Sequence, residues 1–222
     1  MIPVARVEEP TSFQDKVRQP GLDAIAELVG EQPSRRRPGP QRKVVAASRE
    51  DIPAGKFPDF WCGALPDLRE AYRNRCAYLA LYIHRATGAA SVDHFVPKAK
   101  NWQLVYEWSN YRLCSALINA NKSDREIALD PFGIESGLFA LELTDLQVVP
   151  GPAARGATGE VVTRTIVDLG LNQRECCKAR AVYVDEYRLG PPIGIELARL
   201  ERHAPFVAGE LRRQGQLVRG DI

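Results

Sequence analysis

The stretch from Val92 to Lys122 constrains this chain more than any other part of its sequence. Residues 90–95 predict a short strand, residues 108–113 a second extended segment, and residues 114–125 a helix. This strand–loop–strand–helix order carries a series of polar residues: Asp93, His94, Asn110, Asn119 and Lys122. We therefore expect the fold to bring these polar groups together on one small unit.

Helices dominate the predicted surroundings of this unit. The strongest helical pattern covers residues 66–86, where Leu68, Tyr72 and Ile83 fall on one face and Gly88 stops the run. Further helices are predicted over residues 21–30, 171–188 and 193–214. Residues 138–149 and 161–167 resemble two strands of a hairpin, joined by a loop rich in glycine and proline. The sequence thus predicts an α+β protein with mostly helical surroundings and an extra β-hairpin.

The chain divides into three predicted segments. Residues 1–65 form an N-terminal extension with a basic loop, residues 66–135 contain the core, and residues 136–222 form a hairpin and helices packed on it. A length of 222 residues suits one large domain or two small ones. Because no internal repeat is visible, we expect the two ends to be layers around the central unit.

Composition indicates a cytoplasmic globular protein. No apolar run reaches eighteen residues, so we expect no membrane-spanning helix, and the first ten residues lack the apolar region of a secretory signal. Five cysteines are an odd number without a spaced framework, which favours reduced thiols. The net charge of +2 means that any nucleic-acid binding depends on a local basic face.

The polar residues of the central stretch have the chemistry that phosphodiester hydrolysis needs. A histidine such as His94 can take a proton from water at neutral pH. A hard cation such as Mg²⁺ takes carboxylate and amide oxygens, which Asp93 and Asn119 supply, while keeping several waters. Asn121 is the alternative to Asn119 for the second ligand. A buried Asp93–His94 pair with only a packing role is the alternative to the whole site.

The segments VDHFVPK, YEWSNYRL and N-x-x-K together resemble the HNH endonuclease superfamily, whose core is the ββα-metal fold. This resemblance implies that His94 is the general base and that Asp93 and Asn119 hold one Mg²⁺ or Mn²⁺. It also implies that Asn110 braces the loop and orients His94, and it favours DNA as the substrate. The segments LDPF and TIVDLGLN are similar to parts of bacterial HNH proteins encoded beside ATPases in antiphage defence systems, which implies a possible ATPase partner.

The sequence departs from the HNH pattern at the structural zinc. Many HNH proteins bind zinc through two C-x-x-C pairs, which here would fall on Cys76 with Leu79 and on Ser115 with Ile118. Only one of these four is a zinc ligand, whereas a structural site needs four. We expect no structural zinc, and we expect the predicted helix at 66–86 to pack apolar side chains where zinc would have been.

Basic residues provide candidate contacts to nucleic acid. The proline-rich loop carries Arg35, Arg36 and Arg37, which either form a solvated surface or contact phosphates. Lys98 and Lys122 are predicted to contact nucleic acid next to the motif, although Lys122 also suits a solvated helix position. The aromatic side chains either stack on bases or wedge the loop against the core: Trp102, Tyr106 and Trp108.

The long flanks permit a function of another class. The motif covers only about thirty of the 222 residues. The chain could therefore be a nuclease-like subunit that binds a partner such as an ATPase and is inactive alone. Asp130 follows the motif helix and is predicted to have a structural role, with support of the metal shell as the alternative.

Overall fold

The computed structural model describes residues 1–218 and 220–221. Its described residues form two sheets and seven α-helices, which confirms the α+β class. The helices are α1 (Gln19–Leu28), α2 (Leu65–Ala71), α3 (Ala116–Lys122), α4 (Ala157–Leu169), α5 (Arg174–Leu189), α6 (Leu197–His203) and α7 (Pro205–Arg213). The strands are β1 (Ala90–His94), β2 (Tyr111–Ser115), β3 (Phe139–Leu141) and β4 (Val148–Pro150).

Strands β1 and β2 and helix α3 form the strand–strand–helix unit that the sequence predicts. The two strands pair antiparallel, with Asp93 opposite Arg112 and His94 opposite Tyr111. Ser115 ends β2 and caps α3, because its hydroxyl accepts a hydrogen bond from the Ile118 backbone N–H. The helix therefore follows its strand without a connecting loop.

The helix predicted over residues 66–86 is wrong beyond Ala71, where α2 ends. Arg73, Asn74 and Ala80 have positive φ angles, which a right-handed helix excludes. Residues 76–81 are all buried, so this segment does not have the one-sided burial of a surface helix. It turns back on itself and bonds to β2 through the Ala77 N–H and the Leu113 carbonyl.

The predicted extra hairpin is wrong in its strands. Residues 138–149, predicted as one strand, turn back on themselves, so that β3 and β4 pair antiparallel within residues 139–150. Residues 161–167, predicted as the second strand, lie in α4. Val162, Ile166 and Leu169 are buried at helical spacing, so packing of one face outweighs β propensity. Gly170, at φ +64°, ends the helix.

The remaining helices follow the sequence pattern. Helices α1 and α5 confirm the predictions over residues 21–30 and 171–188. The predicted final helix is divided at Ala204, and Pro205 starts α7 at a position where a proline needs no N–H partner. One hydrophobic core includes side chains from all three predicted segments, among them Phe13, Tyr111 and Leu211. Within the described residues, no helix has both the length and the apolar character to cross a bilayer.

Candidate active site

A cleft of about 220 Å³ opens beside β1 and the C-terminal end of α3. It brings together four of the residues that the sequence singles out, namely Asp93, His94, Lys98 and Asn119. The full lining is Trp61, Val92, Asp93, His94, Pro97, Lys98, Asn119, Ser123 and Asp124. The strand–strand–helix unit therefore gathers the predicted general base and both predicted metal ligands at one opening.

The His94 ring is fixed in one tautomer. Its Nε2 lies 2.9 Å from the Val105 carbonyl oxygen, and because a carbonyl only accepts, Nε2 carries the proton. Nδ1 is then the unprotonated nitrogen, and it makes no hydrogen bond to any residue that the structure describes. The ring packs edge-to-face against Trp61 at 4.9 Å and against Tyr111 at 5.1 Å.

Burial keeps this imidazole neutral. The desolvation of a charged ring lowers the pKa of His94 to about 3, against the opposing effect of the Val105 carbonyl, and the nearby Lys98 and Lys122 charges add to the lowering. A pKa this far below neutral makes the buried ring a weak base, since a general base works best when its pKa lies near the operating pH. What the ring offers chemically is its unprotonated Nδ1, which can accept a hydrogen bond.

Asn110 braces the loop between β1 and β2. Its Oδ1 accepts from the Val96 N–H at 2.8 Å, and its Nδ2 donates to the carbonyls of Val96 and Leu104 at 3.1 and 3.0 Å. These bonds join the two ends of the loop. Because Val105 follows Leu104 directly, the brace also fixes the carbonyl on which the His94 ring rests.

The Asp93 carboxylate is held from two sides. Tyr78 donates its hydroxyl to Oδ2 at 2.5 Å, and the Lys122 ammonium lies 3.0 Å from Oδ1. Each carboxylate oxygen accepts two hydrogen bonds or ligands, so each retains one position. Burial and the neighbouring Asp93 charge raise the pKa of Tyr78, which keeps this hydroxyl a donor.

Lys122 is fully buried, with none of its side chain exposed. Besides pairing with Asp93, its ammonium donates to the His94 carbonyl at 2.6 Å. This burial contradicts both sequence predictions for Lys122, as a contact to nucleic acid and as a solvated helix residue. The side chain instead cross-links α3 to the end of β1 from inside the unit.

The structure separates the two candidate asparagines of α3. Asn119 is half-buried, lines the cleft, and makes no side-chain hydrogen bond within residues 1–218 and 220–221. Asn121 is committed elsewhere, because its Nδ2 donates to the Leu169 carbonyl and its Oδ1 accepts from Gln173. Asn119 is therefore the asparagine placed to bind a ligand.

The cleft offers oxygen donors that fit a hard divalent cation. Asp93 and Asn119 are joined there by Asp124, an exposed carboxylate that the sequence analysis does not select. Mg²⁺ typically takes one or two carboxylates and keeps several waters. Among the described residues, no group of three or more His, Cys, Asp or Glu side chains is arranged to hold a metal ion. The positive charge of Lys122 beside Asp93 repels a metal ion, so these oxygen donors fit an ion that is weakly bound and keeps its waters.

Besides Asp124, the residues Trp61 and Tyr78 of the site also escaped the sequence analysis. Trp61 packs on His94, and the Lys98 ammonium lies 4.1 Å from the centre of its ring. Tyr78 lies in the segment assigned to a helix, where it counted only as an apolar side chain. Neither residue belongs to a spacing pattern, and only the fold brings them to the motif.

The basic loop is largely neutralised by acids of its own segment. Arg35 pairs with Asp15 at 2.7 Å, and Arg37 pairs with the buried Glu27 at 3.2 Å. Arg36 makes no salt bridge or hydrogen bond in the described part of the chain. None of these arginines lines the cleft.

Other candidates from the sequence have structural contacts. Trp108 and Tyr106 are buried and donate to backbone carbonyls, so they wedge the loop against the core. Asp130 forms a two-pronged ion pair with the buried Arg112, at 2.9 and 2.7 Å, which supports its predicted structural role. Trp102 is only half-buried, and its indole N–H donates to Glu50.

The positions expected for zinc ligands do lie together. The Cys76 Sγ is 3.5 Å from the backbone nitrogens of Leu79 and Ser115, which donate to it. Burial opposes ionisation of this thiol, but hydrogen bonds from Cys114 and these backbone groups lower the pKa of Cys76 to about 7. Leu79 and Ile118 are buried apolar side chains here. A turn, not the predicted helix, fills this region.

Comparisons of the chain with protein-family models, curated proteins and solved structures found no match. The family resemblance drawn from the motif therefore has no support from a matched relative. The functional argument depends on the cleft itself, meaning the His94 tautomer, the Asp93 contacts and the unengaged Asn119 side chain.

Proposed function

We propose that this protein is a metal-dependent endonuclease of the HNH type, with the strand–strand–helix unit as its ββα-metal core. The observation that carries the proposal is the His94 ring, which lines the same cleft as Asp93 and Asn119, is held at Nε2 by Val105, and has no partner at Nδ1 among the described residues. This arrangement supports proton abstraction from a water next to a phosphate. DNA is the favoured substrate.

The chain's own residues divide the work of hydrolysis. His94 Nδ1 takes a proton from the attacking water while Asn110 keeps the loop carbonyl of Val105, and hence the ring, in place. Lys98 lies at the cleft with no salt bridge among the described residues, so its ammonium is available to a phosphate oxygen. Trp61 forms one wall and limits water around the ring.

Asp93 and Asn119, with Asp124 at the rim, would hold the divalent cation. When bound, Mg²⁺ or Mn²⁺ supplies positive charge that stabilises the phosphate and the leaving oxygen. Tyr78 and Lys122 fix the Asp93 carboxylate, so its orientation does not depend on the ion. This arrangement supports a cation that binds together with the substrate phosphates.

Plasmid cleavage tests the proposal directly. Purified protein with Mg²⁺ or Mn²⁺ is expected to nick and linearise supercoiled DNA, and chelation by EDTA is expected to stop the reaction. His94→Ala should reduce the cleavage rate by about 100- to 10,000-fold, the usual contribution of a general base. The matched control is His84→Ala, because His84 is exposed and does not line the cleft.

Two results would contradict the nuclease function. One is a His94→Ala protein that is folded by circular dichroism and cleaves as fast as the parent. The other is a parent protein that leaves plasmid, single-stranded DNA and RNA intact with either metal.

A second candidate function is partner binding, for which exposed apolar side chains near the C-terminal end of α5 are the candidate contacts. Val182 and Leu189 are seven residues apart on one helix face, with Asp185 and Glu186 between them, and Ile193 lies beyond the end of the helix. The three apolar side chains are 52%, 64% and 81% exposed. We propose them as contacts if the chain acts as a subunit of an ATPase-containing assembly. Val182→Asp should then abolish co-elution with the partner while leaving the chain folded.

A further inference from the structure

A second pocket, of about 240 Å³, lies next to the cleft. Its lining residues are Glu50, Ile52, Phe57, Lys98, Ala99, Lys100, Asn101, Trp102 and Gln103. Lys98 forms part of the wall of both the cleft and this pocket. A ligand that reaches the cleft can therefore extend over Lys98 into the second pocket without crossing the protein interior.

The interior of the second pocket is suited to a flat, partly apolar group. Ile52 and Phe57 are buried apolar side chains, and Trp102 adds a half-buried indole. The indole is held in place because its N–H donates to Glu50 at 3.0 Å, and the Arg49 guanidinium lies 5.3 Å from the ring centre. An aromatic side chain held in this way is a ready platform for stacking.

The distribution of charge assigns different parts of a nucleotide to different parts of the pocket. The exposed Glu50 carboxylate accepts a hydrogen bond from the Trp102 indole, and its negative charge at this side of the pocket disfavours a phosphate there. Lys98 and Lys100 bring ammonium groups to the wall, where Lys100 has only an exposed pair with Glu126 at 3.6 Å. Phosphates thus fit beside the lysines, and a base, with amide groups of Asn101 and Gln103 nearby, fits inside.

We propose that this pocket binds the unpaired base of a nucleotide flanking the scissile phosphate. The inference rests on the proposed nuclease function and adds a substrate class to it. Bases inside a duplex are stacked on their neighbours and do not enter such a pocket. The preferred substrate is therefore single-stranded, or has an unpaired segment beside the cleavage point.

Binding of defined oligonucleotides to the His94→Ala protein tests the pocket without cleavage. Fluorescence anisotropy with a labelled dT12 and a labelled 12-base-pair duplex should show tighter binding of dT12. Adding Trp102→Ala should weaken dT12 binding by about 5- to 100-fold, the range for loss of one stacked base. Trp102→Phe, the matched control, should retain most of the affinity, and an abasic dT12 analogue should be insensitive to both changes.

Cross-linking provides a second measurement that needs no change at Trp102. Ultraviolet irradiation of the His94→Ala protein with an oligonucleotide carrying 5-iododeoxyuridine should attach it to the peptide that contains residues 98–103. Cross-links found only elsewhere would overturn the proposal.

The proposal would also fail if Trp102→Ala left dT12 affinity unchanged, or weakened dT12 and duplex equally. Either result would leave plasmid cleavage by the parent protein, and hence the nuclease function, standing. Conversely, a parent protein that binds dT12 through Trp102 but cleaves no nucleic acid would refute the nuclease function alone.

Discussion

The two small sheets use buried polar side chains in different ways. In the β3–β4 hairpin, polar side chains bond to the backbone and are fully committed: Glu210 accepts from Leu141, and Asn172 both donates to and accepts from Val148. Beside the β1–β2 hairpin, Lys122 is equally committed, and it holds the Asp93 carboxylate together with Tyr78. His94 Nδ1 and the Asn119 side chain next to them have no partner in the described part of the chain.

We interpret this difference as a division between side chains that stabilise the fold and side chains that can bind a ligand or react. Buried polar groups are normally satisfied, because an unpaired group costs free energy. His94 and the half-buried Asn119 instead line a cleft, where solvent or a ligand can supply the hydrogen bonds. The comparison predicts that changes at committed residues lower stability, whereas changes at open residues lower activity.

Lys122→Met should give the largest loss of stability. It leaves the Asp93 carboxylate buried without its ammonium partner, and breaking a buried ion pair costs about 3–5 kcal/mol in the free energy of unfolding. Urea denaturation followed by circular dichroism measures this loss. The control is Lys100→Met, whose ion pair with Glu126 is exposed.

The double variant Lys122→Met with Asp93→Asn identifies the cause. Removing the stranded charge should restore part of the lost stability. A single Lys122→Met change that costs less than Lys100→Met would show that the cluster around Asp93 is not committed as described.

Glu210→Ala should have an intermediate effect on stability and none on cleavage. It leaves the buried Leu141 N–H without an acceptor, at a cost of about 1–3 kcal/mol. Thermal unfolding and plasmid cleavage, measured on the same preparation, test the predicted loss of stability and the predicted unchanged cleavage rate. Glu201→Ala is the control, because its pair with Arg212 is exposed and worth little. A Glu210→Ala protein that is fully folded but cleaves more slowly would contradict the proposed division between stabilising and functional side chains.

Asn119→Ala should have the smallest effect on stability, within about 0.5 kcal/mol, since no hydrogen bond is lost. Cleavage and Mn²⁺ binding should both be lost, because the amide oxygen is a proposed ligand. Titration calorimetry with Mn²⁺ and plasmid cleavage are the measurements. Asn121→Ala is the matched control two residues away, and it should be less stable yet active. If Asn121→Ala lost Mn²⁺ binding and cleavage while Asn119→Ala kept both, Asn121 would be the metal ligand instead.

The sequence predicts the parts of this fold that depend on local pattern. The predicted strand over residues 90–95 matches β1, the predicted segment over 108–113 overlaps the first half of β2, and the predicted helix over 114–125 contains α3. Residues 72–88 do not follow the prediction, because their six consecutive buried residues arise from contacts with β2, far away in sequence. The strand predicted over residues 161–167 is wrong for a related reason. Its β-branched side chains pack against the core from one face of a helix.

The gathering of the candidate residues was predictable where chemistry and spacing coincide. Asp93, His94 and Asn119 carry recognisable functional groups and line one cleft, and Asn110 braces the loop beside it, while their roles stay predictions. The burial of Lys122 was not predictable, because the direction of a lysine on a short helix depends on tertiary packing. Tyr78 and Trp61 reach the site only through the turn at 76–81 and the segment before α2.

The Asn110 brace has a consequence for how such a protein changes over time. Because the amide closes the loop at its base, between Val96 and Leu104, the backbone that positions the His94 ring is fixed without the loop tip. Residues such as Lys98 and Trp102 can be exchanged, or the tip lengthened, without moving the His94 ring. The loop tip can therefore vary in sequence and length while the position of His94 stays the same, which suits diversification and engineering of the surface next to the cleft.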